Sequence, residues 1–424
     1  PFSGAVTYHR TTTDNRMETS EDTIFSGCTS MGDGSLAGEV STALVHDWLP
    51  VYAGAERVLE QMIKVLPAAS LYSLIDYLPD DQREFLQGKE VTTSFIQHLP
   101  FAKSKYRYYL PFAPLAIEQF DLREHDVVIS SSYAVAKGVL TRADQLHISY
   151  VHSPIRYAWD LQFQYLEQKG YERGLRSALA RLVLHYMRLF DVTSASRVDV
   201  FAANSKTVAR RIWKTYRRKS RVIYPPVDTE AFALQSDKEN FYLTMSRLVE
   251  YKRIDLVVKA FNEMPDKELI VIGDGPELDR LRKLAGPNVS VLGWQPFEAV
   301  KYYMQHARAL IYPAEEDFGI VPVEAQACGT PVIAYGKGGV TETVISHQTG
   351  LFFDQQTPEH VEGAIRSFER HSDRFEPGRI RDHAEQFSKE RFRYELRAFV
   401  EESLDSFGRS QTEAEDEHYI MESL

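Results

Sequence analysis

The sequence is poor in cysteine, with only Cys28 and Cys328 among its 424 residues. Two cysteines cannot supply the disulfide framework of a small secreted scaffold, and their scarcity fits a reducing compartment. The sequence also lacks any apolar run near the roughly 20 residues that cross a bilayer as a helix. These absences predict a cytoplasmic protein without a membrane span, while 43% hydrophobic and 12% aromatic residues indicate well-packed domains.

Motifs for dinucleotides and metals are missing as well. The turn Gly273-Asp274-Gly275-Pro276 is not a GxGxxG fingerprint, so we interpret it as structural, with Pro276 at the first position of a helix. No Asp-x-Asp pair is present to hold a divalent metal on a diphosphate, and histidine and cysteine do not fall at zinc spacing. The sequence therefore predicts neither a cofactor nor a metal site.

The length of the chain exceeds one ordinary hydrophobic core and predicts two domains. Short apolar strands alternate with helical segments in two series, which is typical of parallel βαβ units. Pro225-Pro226 cannot continue the strand predicted at Arg221–Tyr224, so we place the linker there. The predicted layout is a disordered tail at 1–40, Rossmann-like domains at 41–225 and 226–385, a helix within 386–407, and a frayed acidic tail at 408–424.

Two serines are expected to cap helices. Ser205 precedes the helical pattern Thr207–Tyr216, and Ser388 precedes an amphipathic pattern that runs from Lys389 to about Leu404. A serine hydroxyl at this position accepts a hydrogen bond from a free N–H of the first turn.

The formal net charge of −11 is spread unevenly. Residues 1–40 carry 2 basic and 6 acidic groups, residues 41–225 carry 25 and 18, and residues 226–424 carry 22 and 36. A basic section within an acidic protein suggests a patch for phosphate or anionic lipid, with ordinary solvated charge as the alternative.

Two carboxylates, Glu316 and Glu324, lie eight positions apart around an apolar, glycine-containing turn that leads into a helix. The free N–H groups of a helix N-terminus attract phosphate, and carboxylates accept hydrogen bonds from hydroxyls. A nucleotide sugar would use both features. The alternative is that both residues only complement the helix dipole or a solvated face.

The stretch from Glu316 to Glu324 resembles the E-x7-E signature of retaining glycosyltransferases of family 4, and the similarity extends over residues 42–405. The resemblance implies the GT-B fold, with two Rossmann-like domains facing across a cleft and a last helix that crosses back to the N-terminal domain. It also implies that the N-terminal domain binds the acceptor and the C-terminal domain binds the donor.

The resemblance further implies roles for individual residues. Arg247 and Lys252 follow a predicted strand end and match the diphosphate-binding Arg and Lys, which would replace a metal. The alternative for this pair is charge on a helix surface. Gly54 lies where the family has two adjacent glycines near the donor phosphate, although this chain has Ala53 at the first position.

His152 follows a predicted strand and matches a family histidine that faces the donor sugar, although a lone histidine is more often a core residue. Glu316 would act with it at the sugar, and Glu324 would hold the ribose hydroxyls. Donor binding is completed by the helix start, which comprises Phe318, Gly319, Ile320 and Val321.

The string from His152 to Asp160 resembles bacterial mannosyltransferases of O-antigen and exopolysaccharide assembly. The expected function is therefore metal-independent, retaining transfer of mannose from GDP-mannose to a lipid-linked or growing glycan. Open alternatives are a UDP-sugar glycosyltransferase, a sugar-nucleotide epimerase, a phosphorylase and a non-catalytic scaffold.

The segment from Leu99 to Phe112 interleaves bases with aromatic residues. We expect Lys103, Lys105 and Arg107 to dock on the anionic inner face of the cytoplasmic membrane. The aromatic residues expected at that interface are Tyr106, Tyr108, Tyr109 and Phe112. Nucleic acid is disfavoured because the whole protein is acidic and shows no such module, and a packed loop with solvated lysines is the plain alternative.

Overall fold

The computed structural model of the protein describes residues 40–422, with side chains as far as residue 411. The predicted disordered tail thus lies, apart from Val40, outside the described residues. The thirteen strands within this range form two parallel sheets.

Seven strands form the first sheet, and the central ones are buried on both faces, which explains their nearly continuous apolar and small residues. The strands are β1 Thr42–His46, β2 Ser70–Ser73, β3 Val91–Thr93, β4 Val127–Ser132, β5 Leu146–Val151, β6 Val200–Ala203 and β7 Arg221–Val222. Their order is β3-β2-β1-β4-β5-β6-β7, with all neighbours parallel. This order reverses at β1 and β4, as in Rossmann folds.

Six strands form the second sheet. They are β8 Phe241–Met245, β9 Glu268–Ile272, β10 Val289–Gly293, β11 Ala309–Tyr312, β12 Val332–Tyr335 and β13 Gly350–Phe353. Their order, β10-β9-β8-β11-β12-β13, repeats the same reversal at β8 and β11. The predicted GT-B fold class, with two Rossmann-like domains, is confirmed.

Helices connect and cover the strands. The α-helices are α1 Gly54–Val65, α2 Ala102–Lys105, α3 Ala113–Ile117, α4 Gln162–Gln168, α5 Leu175–Ser194, α6 Lys206–Tyr216, α7 Ile254–Asn262, α8 Leu278–Leu284, α9 Phe297–His306, α10 Ile320–Ala327, α11 Val340–Thr343, α12 Pro358–Arg370, α13 Pro377–Glu385 and α14 Lys389–Glu422. Short 3-10 helices occupy Asp80–Gln82, Glu84–Leu86, Phe95–His98, Tyr106–Phe112, Ala136–Gly138, Ala195–Arg197, Thr229–Ala231, Glu250–Lys252 and Ser372–Arg374. None of the helices within residues 40–422 combines the length and apolar character needed to cross a bilayer.

The last helix returns to the N-terminal domain. Phe392, Leu396 and Phe399 of α14 are buried in the same core cluster as residues of β1, β4 and β5. The predicted cap is present, since the N–H of Arg391 donates to Ser388 Oγ at 3.3 Å. The predicted end near Leu404 was wrong, because α14 continues to Glu422.

Other local predictions had mixed outcomes. Ser205 caps α6 by accepting from the N–H of Val208 at 3.1 Å, as expected. The predicted place of Pro276 at a helix start was wrong, because α8 begins at Leu278. The strand predicted to reach Tyr224 ends at Val222.

Candidate active site

A cavity of about 700 Å³ lies between the two domains, where the parallel strands of both sheets end. Trp48 follows β1, Tyr133 follows β4 and His152 follows β5, and all three line the cavity from the N-terminal domain. Glu316 and the start of α10 line it from the C-terminal domain. Ligands of open parallel sheets collect at this edge, so the cavity is the candidate active site.

Glu316 is held by groups on three sides. The Tyr312 hydroxyl donates to Oε2, the Lys252 ammonium pairs with Oε1, and the N–H of Gly339 donates to its backbone oxygen at 2.8 Å. Gly338 has φ +79°, and a Cβ there would lie 2.4 Å from the Glu316 oxygen, so only glycine allows this approach. The glycine-rich loop before α11 therefore positions the carboxylate.

The ion pair between Lys252 and Glu316 is poorly solvated. Burial lowers the pKa of Lys252 to about 7, with Arg156 adding to the shift, and burial raises the pKa of Glu316 to about 7, with Asp317 adding to it. Burial thus disfavours the charged form of each group, and their mutual attraction opposes that effect. A bound anion beside Lys252 would favour its charged form.

The N-terminus of α10 meets the other domain at Gly54. A Cβ at Gly54 would lie 3.3 Å from Ile320 Cδ1, which leaves little room for a side chain there. No side chain caps α10, so its first N–H groups remain available beside the cavity. One turn further along, Glu324 Oε1 accepts from Arg57 Nη1 of α1 at 2.6 Å.

His152 is positioned by the first sheet. Its backbone N–H donates to the Ser132 carbonyl oxygen at 2.9 Å, and its ring Nε2 lies 2.8 Å from Ser131 Oγ. Burial, with a smaller contribution from nearby His46, lowers the pKa of His152 to about 3. His152 is therefore a neutral hydrogen-bonding group in the cavity wall.

Several charged residues of the cleft were not predicted from the sequence. Asp317 pairs with Arg211 and lies 3.5 Å from Arg156 Nη1, so one carboxylate of the C-terminal domain meets two guanidinium groups of the N-terminal domain. Arg57 joins the same interface through Glu324. The only local sign of these roles is that Asp317 and Arg57 adjoin the quoted motifs.

The N-terminal side of the cavity is aromatic. The aromatic residues that line the cavity from this domain are Trp48, Tyr106, Tyr109, Tyr133, Tyr157 and Tyr165. Two of these, Tyr106 and Tyr109, were expected at a membrane interface and instead face the cavity. Arg107 and Arg156, each next in sequence to one of these tyrosines, also line it.

Seven of the ten predicted site residues line this one cavity, namely Gly54, His152, Glu316, Phe318, Gly319, Ile320 and Val321. Lys252 adjoins it through Glu316, and Glu324 lies below the α10 start. Arg247 is exposed beyond the end of β8 and forms no ion pair among the described side chains. Within residues 40–411, no three His, Cys, Asp or Glu side chains group closely enough to ligate a metal ion.

Two family models match the chain. The one described as Glycosyltransferase Family 4 matches residues 52–231, and the one described as Glycosyl transferases group 1 matches residues 227–389. Together they cover both domains and every predicted site residue.

Curated relatives match over shorter stretches. The alpha-1,3/1,6-mannosyltransferase ALG2 of Candida glabrata is 26% identical over 223 residues, which cover 40% of this chain and 49% of that protein. The GDP-mannose-dependent alpha-(1-6)-phosphatidylinositol monomannoside mannosyltransferase of Mycolicibacterium smegmatis is 31% identical over 170 residues, which cover 33% and 44%. The chain thus spans about half the length of the curated relatives it matches, or slightly less.

Solved structures share the fold over nearly the whole described chain. HepE of Anabaena, solved in complex with UDP-glucose, has a TM-score of 0.63 at 18% identity and covers 85% of this chain and 99% of its own. The sucrose-phosphate synthase of Thermosynechococcus elongatus has a TM-score of 0.64 at 15% identity, with coverages of 86% and 100%.

Proposed function

Since the chain belongs to glycosyltransferase family 4 and has the GT-B fold, we propose that it is a retaining hexosyltransferase that moves mannose from GDP-mannose onto a lipid-linked or growing glycan. The observation that carries this proposal is the cluster of Lys252, Glu316 and Tyr312, which faces His152 across the interdomain cavity. A cation, hydroxyl-binding groups and free helix N–H groups converge there, as a nucleotide sugar requires.

In the proposed reaction, the bond between the anomeric carbon and the diphosphate oxygen breaks while the acceptor oxygen bonds to the same face of the sugar. The acceptor proton passes to the leaving diphosphate, so no protein nucleophile takes part. Lys252 and Arg247 offset the charge that grows on the diphosphate, and this is the largest contribution that the protein makes. Their positive charge takes the place of a metal ion in this proposal.

The remaining residues bind and orient the donor. Glu324 would accept hydrogen bonds from the ribose hydroxyls, and its contact with Arg57 brings the two domains together at that point. The N–H groups of Phe318, Gly319 and Ile320 lie at the uncapped start of α10, where a helix favours an anion. Val321 completes the donor side of the cavity wall.

Mannose is proposed as the sugar because two of the similar proteins are named as mannosyltransferases, one of them GDP-mannose-dependent. A thermal-shift comparison of GDP-mannose with UDP-glucose tests this assignment. A donor at 100 times its dissociation constant stabilises the protein by about 2.7 kcal/mol. A larger shift with UDP-glucose would overturn the mannose assignment and leave the reaction class intact.

The reaction itself is tested by NMR of the product. Retention predicts an α-linked product from the α-linked donor, and a β-linked product would contradict the mechanism. Turnover of the donor without an acceptor glycan, or with free phosphate, would indicate an epimerase or a phosphorylase instead. Full activity of Glu316→Ala would contradict the site assignment.

We also propose that the N-terminal domain works on the anionic inner face of the cytoplasmic membrane. Lys103 and Lys105 are exposed, as are Tyr108 (75%) and Phe112 (51%). A second exposed feature lies on α5, which contacts the 3-10 helix Tyr106–Phe112.

The outer face of α5 carries a regular apolar stripe, made by Leu175, Leu179, Leu182, Tyr186 and Leu189, all exposed. Exposed bases lie beside it, namely Arg173, Arg176 and Arg181. A second copy of the chain on this face would bring like charges together, whereas anionic lipid would accept both the apolar stripe and the bases.

Vesicle co-sedimentation at low and high salt tests the docking surface. Each base near the surface contributes about 1 kcal/mol, so the variant Lys103→Ala/Lys105→Ala/Arg107→Ala should bind measurably more weakly at low salt. Leu179→Gln/Leu182→Gln should weaken binding at both salts, while Leu234→Gln, an exposed leucine of the C-terminal domain, serves as the control. Equal sedimentation of all variants would refute this surface.

A further inference from the structure

Two buried side chains connect the cavity histidine to a carboxylate of α1. His46 ends β1 and Ser131 lies on β4, and the two are directly opposite in the sheet. Ser131 Oγ lies 3.0 Å from His46 Nδ1 and 2.8 Å from His152 Nε2. His46 and Ser131 are both buried, so these contacts are not shared with solvent.

The chain of contacts ends at Glu56, which is also buried. Its Oε1 lies 3.5 Å from His46 Nε2, too far for a hydrogen bond, and that nitrogen has no hydrogen-bond partner in the part of the chain that the structure describes. The other oxygen, Oε2, accepts from the N–H of Ala53 at 3.0 Å at the N-terminus of α1. As a carboxylate, Glu56 only accepts hydrogen bonds.

The carboxylate of Glu56 determines which atom donates in the two hydrogen bonds that Ser131 makes with His46 and His152. A neutral His46 faces the carboxylate with Nε2–H rather than with a bare nitrogen, which leaves Nδ1 unprotonated. Ser131 has one hydroxyl hydrogen and donates it to that Nδ1, so its oxygen can only accept from His152. The reverse order would place a bare His46 nitrogen against the carboxylate in a buried site, with two acceptors facing each other.

We propose that Glu56, His46 and Ser131 are positioning residues that hold His152 in its Nε2–H tautomer, so that Nδ1 accepts a hydrogen bond from a hydroxyl of the bound sugar. Nε2 is committed to Ser131, which leaves Nδ1 as the ring nitrogen for a ligand in the cavity that His152 lines. His46 and Ser131 are not among the residues that line the cavity, whereas Glu56 is.

The tautomer has a consequence for specificity. The unprotonated Nδ1 accepts a hydrogen bond from a sugar hydroxyl, whereas a carboxylate oxygen has no hydrogen to donate to it. A neutral hexose is therefore favoured over a uronic acid beside His152. The sugar contact and this consequence rest on the proposed function, whereas the tautomer is a property of the free protein.

Histidine tautomers can be read directly by long-range proton–nitrogen NMR of the full chain labelled at histidine, with the His152 signal assigned by its loss in His152→Asn. The expected result is a single neutral tautomer with the proton on Nε2. A proton on Nδ1 would overturn the proposal, whatever the activity of the protein.

Glu56→Gln tests the far end of the chain, because glutamine keeps the size and an acceptor for the Ala53 N–H but can also donate to His46. We expect the His152 tautomer to become mixed while the melting temperature stays close to wild type. The matched control is Glu60→Gln, one turn along α1, whose carboxylate binds Tyr52 and Lys64 instead. A pure Nε2–H tautomer in Glu56→Gln would refute the role of Glu56.

Kinetics separate this proposal from the proposed function. Ser131→Ala should lower kcat/KM for the hexose donor about tenfold, as expected for one neutral hydrogen bond, and Ser131→Thr, which keeps the hydroxyl, should restore most of it. Loss in both variants to the same extent would indicate a packing role and count against the proposal. If His152 has the predicted tautomer but the protein has no transferase activity, the proposed function is wrong, while the positioning role of Glu56, His46 and Ser131 is supported.

Discussion

The carboxylate of Glu342 joins the two domains in a way that a single substitution can test. Glu342 lies on α11 of the C-terminal domain and accepts from the N–H groups of Lys206 and Thr207, at 2.7 and 2.9 Å, and from the Thr207 hydroxyl at 2.9 Å. Ser205 takes the next free N–H of α6, that of Val208. A residue of one domain therefore caps a helix of the other, and opening the cleft would break three hydrogen bonds to one charge.

The size of the effect follows from these contacts. One hydrogen bond to a charged group contributes about 1.5–3 kcal/mol, but the site is only half-buried and water can replace part of the loss. We expect Glu342→Ala to shift the equilibrium between closed and open domains by about 2 kcal/mol, which is roughly 30-fold. If only the closed form binds the donor, its affinity falls by up to the same factor.

Single-molecule FRET between labels on the two domains measures the equilibrium directly, and calorimetry measures donor affinity. Glu342→Gln keeps an acceptor oxygen without the charge and should give an intermediate shift. The control, Glu359→Ala, removes an exposed carboxylate near the start of α12 that hydrogen-bonds to Thr357 of the same domain. Unchanged FRET and unchanged affinity in Glu342→Ala would refute the reasoning.

Three further outcomes are expected. Lys252→Met should lower kcat about 100- to 1000-fold by removing a cation from the leaving diphosphate, while Lys259→Met on the surface of α7 should be neutral; equal rates would contradict the assignment. Gly350→Ala should destabilise the C-terminal domain in urea unfolding, because its Cβ would lie 2.0 Å from the Val332 oxygen, whereas Gly363→Ala, with open space in α12, should stabilise by about 0.5–1 kcal/mol. Burial lowers the pKa of His147 from 6.5 to about 4, so its contribution to stability is complete above pH 6.5 and is lost as the pH falls toward 4, at up to about 1.4 kcal/mol per pH unit. Urea titrations across this range should show a flatter dependence in His147→Gln, and an equal slope would exclude His147 as the source.

The residues that line the candidate site could be predicted from features that act over a few residues. The strands that end at His46, Val151 and Met245 are short apolar runs, and burial on both faces of a parallel sheet explains those runs. The helix after Glu316 could be predicted because its glycine turn and apolar pattern are local. Strands β3 and β13 were not predicted, since each has only three or four residues and little pattern to recognise.

The long helix α5 was missed for a different reason. Its outer stripe of leucines is exposed, so the apolar spacing does not mark a buried face, and no side chain caps its start at Gly174. Tyr106 and Tyr109 are the opposite case, because they were expected at a membrane interface and line the cavity instead. Alternating aromatic residues reveal that two faces exist, but only the packing of the 3-10 helix shows which face lines the cavity.

By itself the sequence determined the two βαβ series, the carboxylates eight positions apart and the basic residues after β8, because each depends on spacing within one element or one turn. The GT-B fold class came from the resemblance to a known family. Only the tertiary structure decided which charges meet. Arg57 and Glu324 are 267 positions apart, and Glu342 lies 135 positions from Thr207. Such pairs depend on how two domains close on each other, and no local pattern of hydrophobicity or charge records that geometry.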